Sequence, residues 1–198
     1  MRRLLLSALT GTFIISSSLA TAQDAGRRIP PTEHVSGGTG MGGVETPAVV
    51  HSEGEIVATM AAADRGEISL GRFAQTRASN SDVRDYARSM VTMHTDASAR
   101  MAAVARRLSI TSMEGVESRR LTTDARATQQ RLSRLRGAAF DRAYLDAEIE
   151  AHSHLLDQID RTLLPSVRTA DLRTAIQSDA RPMVATHLAQ ARALRERL

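Results

Sequence analysis

The sequence predicts an all-α protein, an antiparallel bundle of four long helices with one additional shorter helix. Three observations predict it. Aromatic residues make up only 3% of the chain and Trp is absent, so the core must be built from small and aliphatic side chains, which suits packed helices better than a sheet sandwich. Apolar residues recur at alternating steps of four and three along four long segments, the seam of a left-handed bundle. No stretch of useful length alternates with period two, which excludes a membrane β-barrel.

The 198 residues divide into a leader, a tether and one domain of ordinary size. Residues 1–22 read as a cleaved secretory signal: Arg2 and Arg3 start it, Leu4 to Leu19 is apolar, and Ala20-Thr21-Ala22 fits the small-x-small cleavage rule, leaving Gln23 as the mature start. The apolar stretch is broken by Ser, Thr and Gly and is short for a span, so no transmembrane anchor is expected after cleavage. The expected location is periplasmic or secreted, with peripheral outer-membrane association compatible with it. There is no Cys, hence no disulfide and no lipid-modified cysteine. Residues 23–51 hold Pro30-Pro31 and clustered Gly without apolar periodicity, the composition of a disordered tether. His34 and His51 fall in it and read as solvated. Residues 52–198 form the bundle.

All 26 basic residues are Arg, which lifts the isoelectric point to about 10.7 although the formal net charge is only +4. Without Arg2 and Arg3 the chain carries 24 Arg against 22 acidic residues, interleaved evenly, which does not make a phosphate-tracking surface. No basic run with interleaved aromatics appears, and nucleic-acid binding is not expected.

The first helix should start at Ser52, whose spacing to Glu55 matches a capping box, and run to about Ser79 with Ile56, Met60, Ala63, Glu67, Leu70 and Ala74 on its seam. Gly66 and Gly71 weaken a helix, and close approach of a neighbour would compensate. A turn at Asn80-Ser81, followed by Asp82 and Asp85 at the dipole's positive end, starts the second helix, to about Leu108, antiparallel to the first. Its seam is Val83, Ala87, Met90, His94, Ala97, Met101, Val104 and Leu108. A shorter helix, about Glu117 to Leu135, is a crossover or flank ended by Gly137. The fourth, about Ala138 to Leu164, carries Leu145, Ile149, His152, Leu156, Ile159 and Leu163 and stops at Pro165. The last begins near Ser166 or Thr169 and carries Leu172, Ile176, Ala180, Met183, His187, Ala191, Leu194 and Leu198; Pro182 should kink or split it one turn before His187.

Glu67, His94, His152 and His187 each lie within about four residues, or roughly 6 Å, of their helix midpoints, so packing should bring them to one level. Three imidazoles and a carboxylate match the ligand set of one Zn, Fe or Mn ion. Glu148, one turn before His152, could accept from that ring's second N–H. Met90 and Met93 near His94, or Met183 before His187, suggest a copper variant, less favoured because Met on a core seam is usually filler. His154 should point elsewhere, about 200° around the helix from His152. The bland alternative is a polar layer, Glu67 bonded to one or two histidines, that fixes helix register.

The chain resembles a family of exported bacterial proteins, domain of unknown function 4142, through E-I-S-L-G-R-F-A at Glu67 to Ala74, V-R-D-Y-A-R-S-M-V-T-M-H at Val83 to His94, F-D-R-A-Y-L at Phe140 to Leu145 with His152 following, and P-M-V-A-T-H-L at Pro182 to Leu188. The resemblance runs from about Glu53 to Leu194 and implies a ferritin-like bundle, export, and loosely an outer-membrane association. It implies no reaction. Di-iron proteins of ferritin type place a Glu three residues before a ligating His. Val91, Ile149 and Val184 stand there in this chain, so a ferroxidase-type centre is not expected.

No nucleophile, catalytic triad, phosphate loop or paired carboxylates can be assembled from the spacing, and no enzyme is expected. The leading expectation is an envelope protein binding one transition metal in metal handling or stress tolerance. The second is a non-enzymatic structural or interaction protein of the envelope, its partner another envelope protein or a second copy of the chain.

Overall fold

The computed structural model describes residues 51–198; the leader, His34 and nearly all of the tether lie outside the described residues. Five helices and no strand occur among them: an all-α bundle. Helix α1 is Glu53–Arg77, α2 Ser81–Arg107 and α3 Val116–Ser133. Helix α4 runs through Gly137–Gln158, a π-helical turn Ile159–Leu163 and Leu164–Ser166. Helix α5 runs through Ala170–Thr174, a π-helical stretch Ala175–Ala180 and Arg181–Glu196. None is long and apolar enough to cross a membrane.

The predicted starts of α1 and α2 hold because their caps form, whereas Thr169 ahead of α5 makes no side-chain cap bond. Ser52 Oγ accepts from the Glu55 backbone while the Glu55 carboxylate accepts from Ser52 N–H at 2.9 Å, the reciprocal box that satisfies two orphan donors. Asn80 Oδ1 accepts from Asp82 and Val83 N–H and starts α2. The α1–α2 turn is also held from α4: Asp141, 1% exposed, accepts from Ser79 N–H and Asn80 N–H, both at 2.9 Å.

Helices α1 and α2 pack along their length, as do α4 and α5, and α3 lies mainly on α1. The α1–α2 approach needs Gly71, where a Cβ would come within 2.9 Å of the Ala87 carbonyl and of Val91 Cγ2. Pro182 neither breaks nor splits α5. The ladder widens to five-residue spacing ahead of it, Arg181 N–H donating to the Ile176 carbonyl, so the missing proline N–H is absorbed by a π turn. Arg181 also reaches across to Asp160 in the α4 π turn with two bonds of 2.6 and 2.8 Å.

The apolar core is two clusters. One holds Ile56, Met60, Met101, Leu155, Ile159, Leu172, Ile176 and Val184; the other holds Leu70, Ala74, Val83, Met90, Phe140, Tyr144, Leu145 and Ala191. Each long helix contributes to both and crosses from one to the other at its polar seam residue. The polar residues form a layer between two apolar halves.

Candidate metal centre

The three histidines come together, and Glu67 lies with His152 and Glu148 beside them. His94, His152 and His187 are each no more than 1% exposed, and their ring centroids are 5.1 to 5.9 Å apart. They offer ligand atoms within 4.8 Å of one another, as do Glu67, Glu148 and His152. Ligands of one ion with bonds of about 2.0–2.2 Å stand no more than about 4.4 Å apart, so either triad is near the spacing an ion needs.

The ring nitrogens facing away from the centre fix the tautomers. His94 Nδ1 lies 2.9 Å from Asp64 Oδ1, and a carboxylate accepts, so this nitrogen carries the proton. His152 Nδ1 is 2.9 Å from the Glu148 backbone carbonyl, which can only accept. His187 Nε2 is 3.2 Å from Met93 Sδ, and a thioether is also only an acceptor. The remaining nitrogens, His94 Nε2, His152 Nε2 and His187 Nδ1, therefore carry lone pairs, and all three are buried without a protein partner. Glu67 Oε2 and both Glu148 carboxyl oxygens are buried without partners too. The partnerless atoms of the centre are mostly acceptors, with the Tyr144 hydroxyl beside Glu148 as a donor among them.

Electrostatics follow from that crowding. Burial, with His94 and His152 beside it, lowers the His187 pKa to about 3. Burial also lowers His152, opposed by Glu67 and reinforced by His94. Burial and the Glu67 carboxylate push Glu148 well above the ordinary range, with the Tyr144 and Tyr86 hydroxyls nearby opposing. Burial raises Asp64, against the pull of its bond to His94. Isolated imidazoles stay neutral in such a place, which is the form that ligates a metal.

Two sequence expectations change. Glu148 was expected to accept from His152 through its side chain; the backbone carbonyl takes that role, the carboxylate standing 3.5 Å away and facing Glu67. The carboxylates sought three residues before each histidine are absent there, yet the layer is carboxylate-rich: Glu148 enters four residues before His152, and Asp64 enters from α1. Asp64 was missed, although it sits three residues before Glu67, one turn away on nearly the same face. Of the copper-variant methionines, Met90 and Met183 belong to the two apolar clusters, while Met93 touches His187 on the nitrogen that faces outward. His154 is half-exposed and bonded to Arg120, and His51 N–H bonds Ser166 Oγ at 3.3 Å; neither joins the layer.

No curated protein and no solved structure matches this chain. A family match covers residues 41–194, from before α1 into the last turn of α5, and takes in every residue of the layer. The chain belongs to the family described as Domain of unknown function (DUF4142).

Proposed function

We propose that this is an exported metal-binding bundle that holds one transition-metal ion, Zn, Fe or Mn, through His94 Nε2, His152 Nε2, His187 Nδ1 and Glu67, with Glu148 as a second carboxylate, and serves envelope metal handling or stress tolerance. The observation that carries the reading is a set of buried, partnerless acceptors in two adjoining clusters, His94 with His152 and His187, and Glu67 with Glu148 and His152, which share His152. Each such group left unmet costs about 1–3 kcal/mol, and a cation meets all of them together. Two carboxylates balance the charge of a divalent ion, and nitrogen with oxygen donors suits these metals better than copper(I). Asp64, the Glu148 carbonyl and Met93 orient the rings from behind, the supporting role that ligating histidines need.

A polar layer serving register alone is the competing reading. A proton shared between Glu67 and Glu148 would support it, since Glu148 is pushed toward its protonated form. That proton reaches the two carboxyls and still leaves three imidazole lone pairs facing one another. The test is metal stoichiometry of protein purified from periplasmic extract, with intact mass reading the cleavage after Ala22. We expect about one equivalent per chain. Chelation should lower Tm by about 5–10 °C, the counterpart of about 2.7 kcal/mol at a hundredfold excess of ion over Kd. Metal far below one equivalent with melting indifferent to chelator would reject the reading.

A further inference from the structure

We propose that the cleft between α1, α3 and α4 is the port through which the layer exchanges its ion with solvent. The proposal rests on the metal reading above and adds the route.

The layer is closed on most sides. His94, His152, His187 and Glu148 are buried, and an apolar cluster lies to either side along the bundle axis. Glu67 is the exception: it is only partly buried, and it lines a cleft of about 390 Å³. Its partnerless Oε2 lies inside, so one side chain spans solvent and centre. The walls beside it are Ala63, Gly66, Ala147 and Ala151, side chains too short to fill the gap between α1 and α4. Helix α3 roofs this gap, held chiefly by α1 and only lightly by α4. The remaining lining includes the Asp124 and Glu150 carboxylates and the His154 imidazole, with Arg120 and Arg131 alongside. Arg120 holds both Asp124 and His154, which leaves the Glu150 carboxylate to replace part of a divalent ion's hydration shell before Glu67 takes it. The groove between α2 and α5, lined by Tyr86, Ser89 and Ala193, and the pocket at Arg65 and Phe73 include no residue of the layer.

The port is a kinetic element, so closing it should slow entrance and exit equally and leave affinity alone. Cobalt(II) is the probe, its visible absorption reporting a nitrogen-rich site, mixed with metal-free full chain in a stopped-flow instrument. Thr128→Phe and Ala151→Leu, which fill the cleft without touching a proposed ligand, should each reduce association and dissociation rates at least about tenfold, the effect of about 1.4 kcal/mol on a barrier. Kd and the cobalt spectrum should match the parent, and Ala193→Leu in the α2–α5 groove should leave the rates unchanged. Leu121→Ala, which widens the cleft, should speed both steps and carries the test if the filled variants fail to fold. Rates within about twofold of the parent in the cleft variants, with normal cobalt binding, overturn the port alone. A parent that takes up no cobalt overturns the metal reading and the port with it.

Discussion

His94, His152 and His187 are each gripped by the nitrogen that faces away from the centre, and each grip comes from a different kind of acceptor: carboxylate, backbone carbonyl and thioether. The carbonyl grip is built into α4 itself, four residues back along the chain, so only His152 is oriented by its own helix. The other two depend on packing between helices. Glu148 is the residue at which a ligand and a register-setting group behave oppositely. It is fully buried, faces Glu67 and has no protein partner for either oxygen. Glu148→Gln fixes the side chain in an uncharged form and supplies two amide donors to an acceptor-rich centre, so the metal-free protein should gain about 1–3 kcal/mol in urea unfolding. The same change should weaken metal binding by at least about tenfold in competition with a chromophoric chelator. A variant that is more stable without metal and equally tight with it would remove Glu148 from the ligand set.

At the scale of the helix, the seam periodicity made most of the fold legible. It placed Glu67, His94, His152 and His187 on their inner faces, and the capping box and Asn80 turn fixed where α1 and α2 begin. It slipped on α4, where preferring apolar residues put Ile149 and Leu156 on the stripe. The buried positions include Asp141, Leu145, Glu148, His152, Leu155 and Ile159, an unbroken alternation of four and three that the charged side chains concealed. Following the spacing in place of the hydropathy would have put Glu148 in the layer. Asp64 could not be read the same way, because it lies beside the α1 seam and is buried only once α2 brings His94 against it. The glycines offer a test of the packing. Gly71→Ala sets a Cβ 2.9 Å from the Ala87 backbone carbonyl and from Val91 Cγ2, and neither Ala87 nor its helix can retreat without separating α1 from α2. Overpacking of about 1–3 kcal/mol should outweigh the 0.5–1 kcal/mol, roughly, that alanine gains in a helix, and Tm should fall. At Gly66 the Cβ would meet only Ala125 Cβ at 3.2 Å, on the more loosely held α3, so Gly66→Ala should be close to neutral. Equal losses in the two melting curves would contradict this account of how α1 is held.

Across the whole molecule, the layer makes stability depend on protonation in the metal-free state. The pKa of His187 is lowered from 6.5 to about 3 in the folded chain, so its contribution is present above pH 6.5 and is lost as pH falls toward 3. His152 is lowered as well and acts in the same direction, while Glu148 is raised and acts oppositely, stabilising below its ordinary 4.5 and losing that contribution as pH rises. The difference between two chains isolates the first effect. Between about pH 7 and about pH 4, metal-free His187→Leu should lose less stability than the parent in urea titrations, because one imidazole no longer has to stay neutral. Parallel pH curves for the two would show that His187 carries no such burden. The position of the layer has one more consequence. It draws on four segments spread from Asp64 to His187, across most of the folded domain, in a chain with no cysteine. An ion held there would act as a removable cross-link, tying distant stretches of chain as a disulfide does in many exported proteins. Such a joint is indifferent to reductants and is undone by chelators and acid.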